Sequence, residues 1–148
     1  ERDVPGAGRN RWYVSYDRSG RSFVILDTNA LSAFADGDEN LLAVVRGSPR
    51  LFLPVIVLGE FRYGIAGSRH RRTYETWLSE ALVHFEVLEV SDETTHAYAS
   101  VRMSLKQKGR PIPANDVWIA AIAIEHRLPI VSRDSDFDAV VGLTRIEW

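Results

Sequence analysis

The chain has 148 residues, of which 45% are hydrophobic and 26% charged, so it is long enough and apolar enough for one globular domain with a buried core. It contains no cysteine, which excludes disulfides and cysteine-ligated zinc or iron–sulfur sites, and its four histidines lack the spacing typical of zinc ligands. No apolar run approaches the roughly 18 residues of a membrane span, and no signal peptide is recognisable, so we predict a soluble, cytoplasmic protein.

The net charge of −2 is unevenly distributed. Residues 1–22 carry five arginines and three acids, and we treat them as a basic extension in front of a domain that covers residues 23–148. Within that domain, residues 61–74 and 94–115 contain bases and no acid. Such stretches are typical either of phosphate binding or of a solvated helix face. The candidate phosphate ligands are Arg62, Arg69, Arg71, Arg72, Lys106, Lys108 and Arg110.

In the first half of the domain, short apolar runs alternate with segments of helical period. The run at residues 23–26 is bounded by polar residues and predicts a buried parallel strand. In chain order we then predict helices over residues 29–34 and 39–45, a strand over residues 51–53 and a helix over residues 55–66.

The second half continues the alternation. An amphipathic helix is predicted over residues 73–85, and Asp92 is predicted to cap the helix after it. The remaining predicted elements are a strand over residues 86–90, a helix to about residue 108, a loop over 109–113, a buried helix over 117–124, and strands over 129–131 and 143–146. Alternating strands and helices predict an α/β fold in which helices cover both faces of a parallel sheet.

Acidic residues lie where this fold would bring them together. Asp27 closes the first strand, and Asp134 follows the fourth. Ligands of open parallel sheets bind outside the carboxyl ends of the strands, so both acids should face one crevice. Asp116 stands near the start of the buried helix, and Glu60 lies in an otherwise apolar helix, where a carboxylate is costly unless it is compensated.

Each acid by itself has an ordinary structural interpretation. A single carboxylate at such a position can cap a helix, close a turn or reach solvent along a helix surface. A cluster of three or four carboxylates, however, repels itself unless a cation is present. Magnesium and manganese prefer oxygen ligands, and a bound ion of this kind activates water for attack on a phosphodiester. The combined pattern therefore predicts a metal-dependent nuclease.

Four motifs carry a resemblance to a known family. They are Phe-Val-Ile-Leu-Asp-Thr-Asn at 23–29, Leu-Pro-Val-Ile-Val-Leu-Gly-Glu at 53–60, Asn-Asp-Val-Trp-Ile-Ala-Ala at 115–121 and Ile-Val-Ser-Arg-Asp-Ser-Asp-Phe at 130–137. In this order they resemble the PIN-domain nucleases, and among these the VapC-like toxins of bacterial toxin–antitoxin pairs. The resemblance covers residues 23–148 and leaves residues 1–22 unexplained.

The resemblance implies a three-layer α/β/α domain with a central parallel sheet of four to five strands. It also implies a Mg²⁺- or Mn²⁺-dependent endoribonuclease that acts on RNA, forms a homodimer and has a cognate antitoxin protein. Asp27, Glu60, Asp116 and Asp134 match the four acids of the family, and Asp136 matches a position that is often a further acid. The supporting polar positions are matched by Thr28, Asn29 and Ser132.

Other functions remain open at this stage. A phosphoacceptor receiver domain also has an aspartate at a strand end, but it would have adjacent acids near the first strand and a late lysine, and no lysine follows Lys108. A PIN fold could also serve as a catalytically silent binding module or as a housekeeping RNA-processing nuclease. For the basic extension, one hypothesis is that Arg9 or Arg11 lies near the acids and competes with the metal.

Overall fold

The computed structural model describes residues 23–148, so the basic extension and the hypothesis for Arg9 and Arg11 lie outside the described residues. Within residues 23–148, a pair of helices follows each of the first three strands, and a 3₁₀ turn separates the last two strands. The strands are β1 (Val24–Leu26), β2 (Leu51–Pro54), β3 (Phe85–Leu88), β4 (Ile130–Val131) and β5 (Arg145–Ile146). The helices are α1 (Thr28–Ala35), α2 (Glu39–Val45), α3 (Val55–Ala66), α4 (Arg71–Ala81), α5 (Asp92–Gln107) and α6 (Ala114–His126).

All five strands pair in parallel, in the order β3-β2-β1-β4-β5. Strands β2 and β3 follow one another on one side of β1, and strands β4 and β5 lie on its other side. The order of connection therefore reverses between β1 and β4, which is the position where open parallel sheets bind ligands. The predicted α/β/α architecture is confirmed.

The core lies against the neighbouring strands β1 and β4, whose side chains are buried, and against the middle of α6, which is buried from Ile119 to Ala123. Ile25, Leu26 and Ile130 have no exposed surface, because a central strand of a parallel sheet is covered on both faces. Helix α6 is buried through Ala120 and Ile122, as its apolar sequence predicts, and α5 packs along it. Over the described residues, no helix is long and apolar enough to cross a membrane.

Several predicted boundaries differ from the structure: α6 is longer than predicted, β3 ends at Leu88, and β5 is confined to Arg145–Ile146. Two further differences have a clear local cause. Helix α4 ends at Ala81 rather than at Phe85, because a 3₁₀ turn over Leu82–His84 leads directly into β3. The cap of α5 is Ser91 rather than Asp92: the Ser91 hydroxyl accepts a hydrogen bond from the Thr94 amide, and the Thr94 hydroxyl accepts one from the Ser91 amide. This reciprocal pair satisfies two amides at the helix start, whereas a cap at Asp92 would leave Ser91 outside the helix.

Candidate metal centre

Asp27 lies at the junction of β1 and α1, and its side chain is 4% exposed. One carboxylate oxygen accepts a hydrogen bond from the Ala30 amide at 2.8 Å, which caps α1, and the other accepts one from the Ser132 hydroxyl. Burial raises the pKa of Asp27, and the nearby charges of Asp134 and Glu60 raise it further, although the two hydrogen bonds oppose this shift. Two hydrogen bonds thus fix the orientation of Asp27, close to the negative charges of Asp134 and Glu60.

Ser132 connects the acids that follow two neighbouring strands. It has no exposed surface, donates its hydroxyl proton to Asp27 and accepts a hydrogen bond from the Asp134 amide at 2.9 Å. The Asp134 carboxylate in turn accepts a hydrogen bond from the Asp136 amide at 2.9 Å, at the start of a 3₁₀ turn over Ser135–Ala139. Since β1 pairs with β4, one buried hydroxyl sets the relative positions of both aspartates.

Glu60 reaches the same crevice from α3. The Thr28 hydroxyl donates to one of its carboxylate oxygens at 2.7 Å, and the Asn115 amide donates to the other at 3.4 Å. The side chain of Glu60 is half-buried, so these two donors replace part of the water that the carboxylate would otherwise bind. Glu60 is therefore held at the crevice by two donors while it stays partly accessible to solvent.

Asp116 enters from the first turn of α6 and is half-buried. Its pKa is raised to about 6, first by burial and then by the charges of Asp134, Glu60, Asp27 and Asp136. Within residues 23–148, no lysine or arginine forms a salt bridge with any of these acids. The site is thus a partly buried cluster of carboxylates whose negative charge is not compensated by the described part of the chain.

The chemistry of this donor set fits a hard divalent cation. Carboxylate oxygens are the preferred ligands of Mg²⁺ and Mn²⁺, and a divalent charge would offset the repulsion that raises the pKa of Asp116. Within residues 23–148, no three carboxylate or imidazole side chains are grouped closely enough to hold a metal ion as they stand. Hydroxyl and amide donors hold Asp27 and Glu60 instead.

A cleft of about 330 Å³ opens beside Glu60, between α1, α3 and α4. Thr28 and Glu60 form its wall nearest the acids, Phe61 and Ile65 contribute apolar surface, and Tyr74 lies on the α4 side. Of the four acids, only Glu60 lines this cleft, so the cleft reaches the acidic cluster from the Glu60 side.

Among the predicted supporting residues, Thr28 and Ser132 contact the acids, whereas Asn29 is exposed on α1 and makes no side-chain hydrogen bond within the described residues. Sequence reasoning missed Asn115, although its position beside an acid was a signal. It also missed Arg145, whose guanidinium donates to the Ser132 carbonyl at 3.1 Å, and nothing in the sequence near Arg145 indicated that contact.

The predicted phosphate ligands have different surroundings. Lys108 donates to the Ala139 carbonyl at 2.9 Å, and Arg71 pairs with Glu75 at 2.7 Å, so both cations already have partners within the domain. The other five are exposed: Arg62, Arg69, Arg72, Lys106 and Arg110.

Comparison with known proteins identifies the family. Residues 24–143 match the PIN domain. The chain belongs to the PIN-domain family. The ribonuclease VapC5 of Mycobacterium tuberculosis is 32% identical to this PIN domain over 128 residues, which cover 83% of the chain and 91% of that protein. The predicted family and its ribonuclease relatives are thereby confirmed, and the receiver-domain alternative is wrong.

Solved structures have the same fold, among them a member of the VapBC family of toxin–antitoxin systems from Mycobacterium tuberculosis. VapBC2 from Rickettsia felis, whose crystal structure contains a DNA fragment of its promoter, superposes with a TM-score of 0.75 at 27% identity, covering 85% of this chain and 98% of that one. FitAcB from Neisseria gonorrhoeae superposes with a TM-score of 0.74 at 26% identity, covering 83% of this chain and 96% of that one.

Proposed function

We propose that this PIN domain is a divalent-metal-dependent endoribonuclease and the toxin of a toxin–antitoxin pair. The observation that carries the proposal is the convergence of Asp27, Glu60, Asp116 and Asp134 on one crevice at the reversal point of the sheet. The ribonuclease relatives supply the reaction class, and a structural neighbour from the VapBC family of toxin–antitoxin systems supplies the biological role.

We assign Asp27, Asp116 and Asp134 as the carboxylates that hold Mg²⁺ or Mn²⁺, with Asp136 beside them. When bound, such an ion polarises a phosphodiester oxygen and lowers the pKa of a coordinated water. Glu60 either binds the ion or accepts a proton from the attacking water. Its Thr28 and Asn115 donors orient its carboxylate for that role. In-line attack would leave a 5′-phosphate and a 3′-hydroxyl.

The partners follow from the same reasoning. An antitoxin protein is the proposed partner, since a structural neighbour belongs to the VapBC family of toxin–antitoxin systems. RNA as substrate, a homodimer as the assembly and the cytoplasm as the location remain predictions from the sequence. A catalytically silent PIN module is the weaker alternative, because all four family acids are present and their charges act on one another.

Cleavage of a labelled RNA by the purified full chain tests the catalytic proposal. We expect cleavage with Mg²⁺ or Mn²⁺ and no cleavage in excess chelator. In Asp116→Asn the cleavage rate should fall by several orders of magnitude, because a proposed metal ligand is removed. Glu80→Gln is the matched control, since it removes one exposed carboxylate outside the crevice and should keep the wild-type rate. Undiminished cleavage in chelator, or by folded Asp116→Asn, would contradict the mechanism.

A further inference from the structure

A second concave surface lies between the C-terminal half of α5 and the start of α6, and we call it the basic groove. Its volume is about 550 Å³. Its lining residues include two cations and no acid, and the rest are apolar: Arg102, Leu105, Lys106, Pro111, Ile112, Ala114 and Val117.

The basic groove adjoins the acidic crevice through a single turn of α6. Ala114 and Val117 line the groove, while between them Asn115 donates to Glu60 and Asp116 contributes its charge to the acids. One turn of an α-helix rises about 5.4 Å, so the two surfaces are neighbours on that scale. An extended ligand that crosses this turn of α6 would contact both surfaces.

The two cations of the groove are available to an anionic ligand. Arg102 and Lys106 lie one turn apart on α5, both are exposed, and neither forms a salt bridge within residues 23–148. The Arg102 guanidinium donates to the Tyr98 hydroxyl and lies 5.7 Å from the centre of the Tyr98 ring, and that ring stacks on Trp118 at 3.9 Å. The guanidinium therefore has an aromatic support that limits its freedom, which lowers the entropic cost of binding.

The remaining surface of the groove is apolar. Leu105 and Val117 are buried at its base, and Ile112 is half-buried beside them. A ligand that fits must combine negative charge with a nonpolar body, and a single RNA strand does so, since its phosphates alternate with unpaired bases and riboses. Simple anions would use the cations alone and leave this apolar surface uncovered.

We propose that the basic groove binds the segment of a single RNA strand next to the cleaved phosphodiester, with Arg102 and Lys106 on its phosphates. This inference rests on the proposed ribonuclease function and names the surface that positions its substrate. The sequence predicts phosphate binding for the basic stretch at residues 94–115, which includes Arg102, but of these two cations only Lys106 is among the seven candidate ligands. The groove places both on one surface beside Asp116.

Steady-state cleavage kinetics test the proposal. For Arg102→Gln and Lys106→Gln we expect KM to rise by roughly tenfold or more, as for the loss of a charge-assisted contact, while kcat stays within about twofold. Arg46→Gln is the matched control, because Arg46 is an exposed cation outside the groove. Equal KM values in all three variants and the wild type would overturn the proposal.

A second pair of variants adds a negative charge without removing a cation, one variant in the groove and its control elsewhere. Pro111 is exposed on the groove wall, so Pro111→Glu should weaken RNA binding, whereas Pro49→Glu, at an exposed loop position elsewhere, should not. The circular dichroism spectra of the two variants should match the wild type. Equal RNA binding by both variants would contradict the proposed site.

Direct binding separates this inference from the proposed function. The probe is a fluorescein-labelled oligouridylate of about 12 nucleotides, measured by anisotropy with full-length Asp116→Asn protein at two salt concentrations. We expect the slope of log affinity against log salt to fall by about 0.7 for each cation removed. Binding that depends on Arg102 and Lys106 would support the groove even if the wild type cleaved no RNA, an outcome that would refute only the ribonuclease proposal.

A second copy of the chain is the competing occupant of the groove. Light scattering at high protein concentration tests it with the same Pro111→Glu variant. An unchanged mass supports the RNA assignment. Conversion of a dimer into a monomer by Pro111→Glu would show that the groove is a contact between copies, and it would overturn the proposal.

Discussion

The protonation of Asp116 couples the acidic cluster to pH. Its folded pKa of about 6 lies above the ordinary value of 3.8, so between these values the folded chain binds more protons than the unfolded chain. The ion-free protein should therefore lose stability as the pH rises through this window, and the raised pKa of Asp27 acts in the same direction. Below this window the Asp116 carboxyl is neutral, so its burial and its repulsion by the other acids no longer destabilise the fold.

We expect this effect in melting temperatures measured in chelator at about pH 5 and about pH 7.5. Asp116→Asn should melt above the wild type at the higher pH, and the gap should narrow at the lower pH, while Glu80→Gln follows the wild type at both. Mn²⁺ should raise the wild-type melting temperature at the higher pH, because a ligand of the native state stabilises it, and should raise it less in Asp116→Asn. If the melting temperatures of the wild type and Asp116→Asn changed equally between the two pH values, the raised pKa of Asp116 would be contradicted.

Single residues of the site were predictable to different degrees. Asp27, Glu60, Asp116 and Asp134 could be selected from the sequence, because a strand end or an apolar helix is an informative place for a carboxylate. The hydroxyl of Ser132 was selected only through family resemblance, since its partner Asp27 lies 105 residues away. A contact over that separation depends on strand order and not on local pattern.

At the scale of elements, β5 restrains the segment that carries Asp134 and Asp136. The Arg145 guanidinium donates to both carboxylate oxygens of Asp138, at 2.8 and 2.9 Å, and to the Ser132 carbonyl at 3.1 Å. One side chain thus holds the segment at both ends, and it is only 14% exposed. A forked guanidinium can make these contacts together, whereas an ammonium cannot.

We therefore expect Arg145→Lys to reduce RNA cleavage by about tenfold or more, since small displacements of catalytic groups are costly. A titration should also show that the variant needs more Mn²⁺ for half-maximal activity. Arg50→Lys is the matched control, because Arg50 forms a more exposed ion pair with Glu86 away from the acids. If both variants needed the same Mn²⁺ concentration for half-maximal activity, Arg145 would not position the acidic segment.

Element boundaries were the least predictable part of the fold. The apolar period of residues 73–85 continues through Phe85, yet the chain leaves the helix at Ala81 because Phe85 is needed at the start of β3, opposite Leu51. Tertiary pairing decided that boundary, and helical periodicity alone could not anticipate it.

At the scale of the whole molecule, the toxin role predicts harm to the cell that makes the protein. Expression of the intact chain in bacteria without its antitoxin should stop growth, because the nuclease would degrade cellular RNA. Asp116→Asn should relieve the arrest at equal protein levels, and Glu80→Gln should not. If the intact chain cleaves RNA in vitro but leaves growth unaffected, the toxin role is contradicted and the housekeeping-nuclease alternative is favoured.

The sequence alone determined the fold class and the four acids, because both follow from local patterns. Alternating apolar runs and helical periods require a parallel sheet, and its strand ends are where carboxylates can meet a ligand. Only the tertiary structure decided which polar groups orient those acids and which cations share the basic groove. The contacts of Asp27 with Ser132, of Ser132 with Arg145 and of Asn115 with Glu60 join distant segments. Strand order and helix packing set those contacts, and no local stretch of sequence encodes either one.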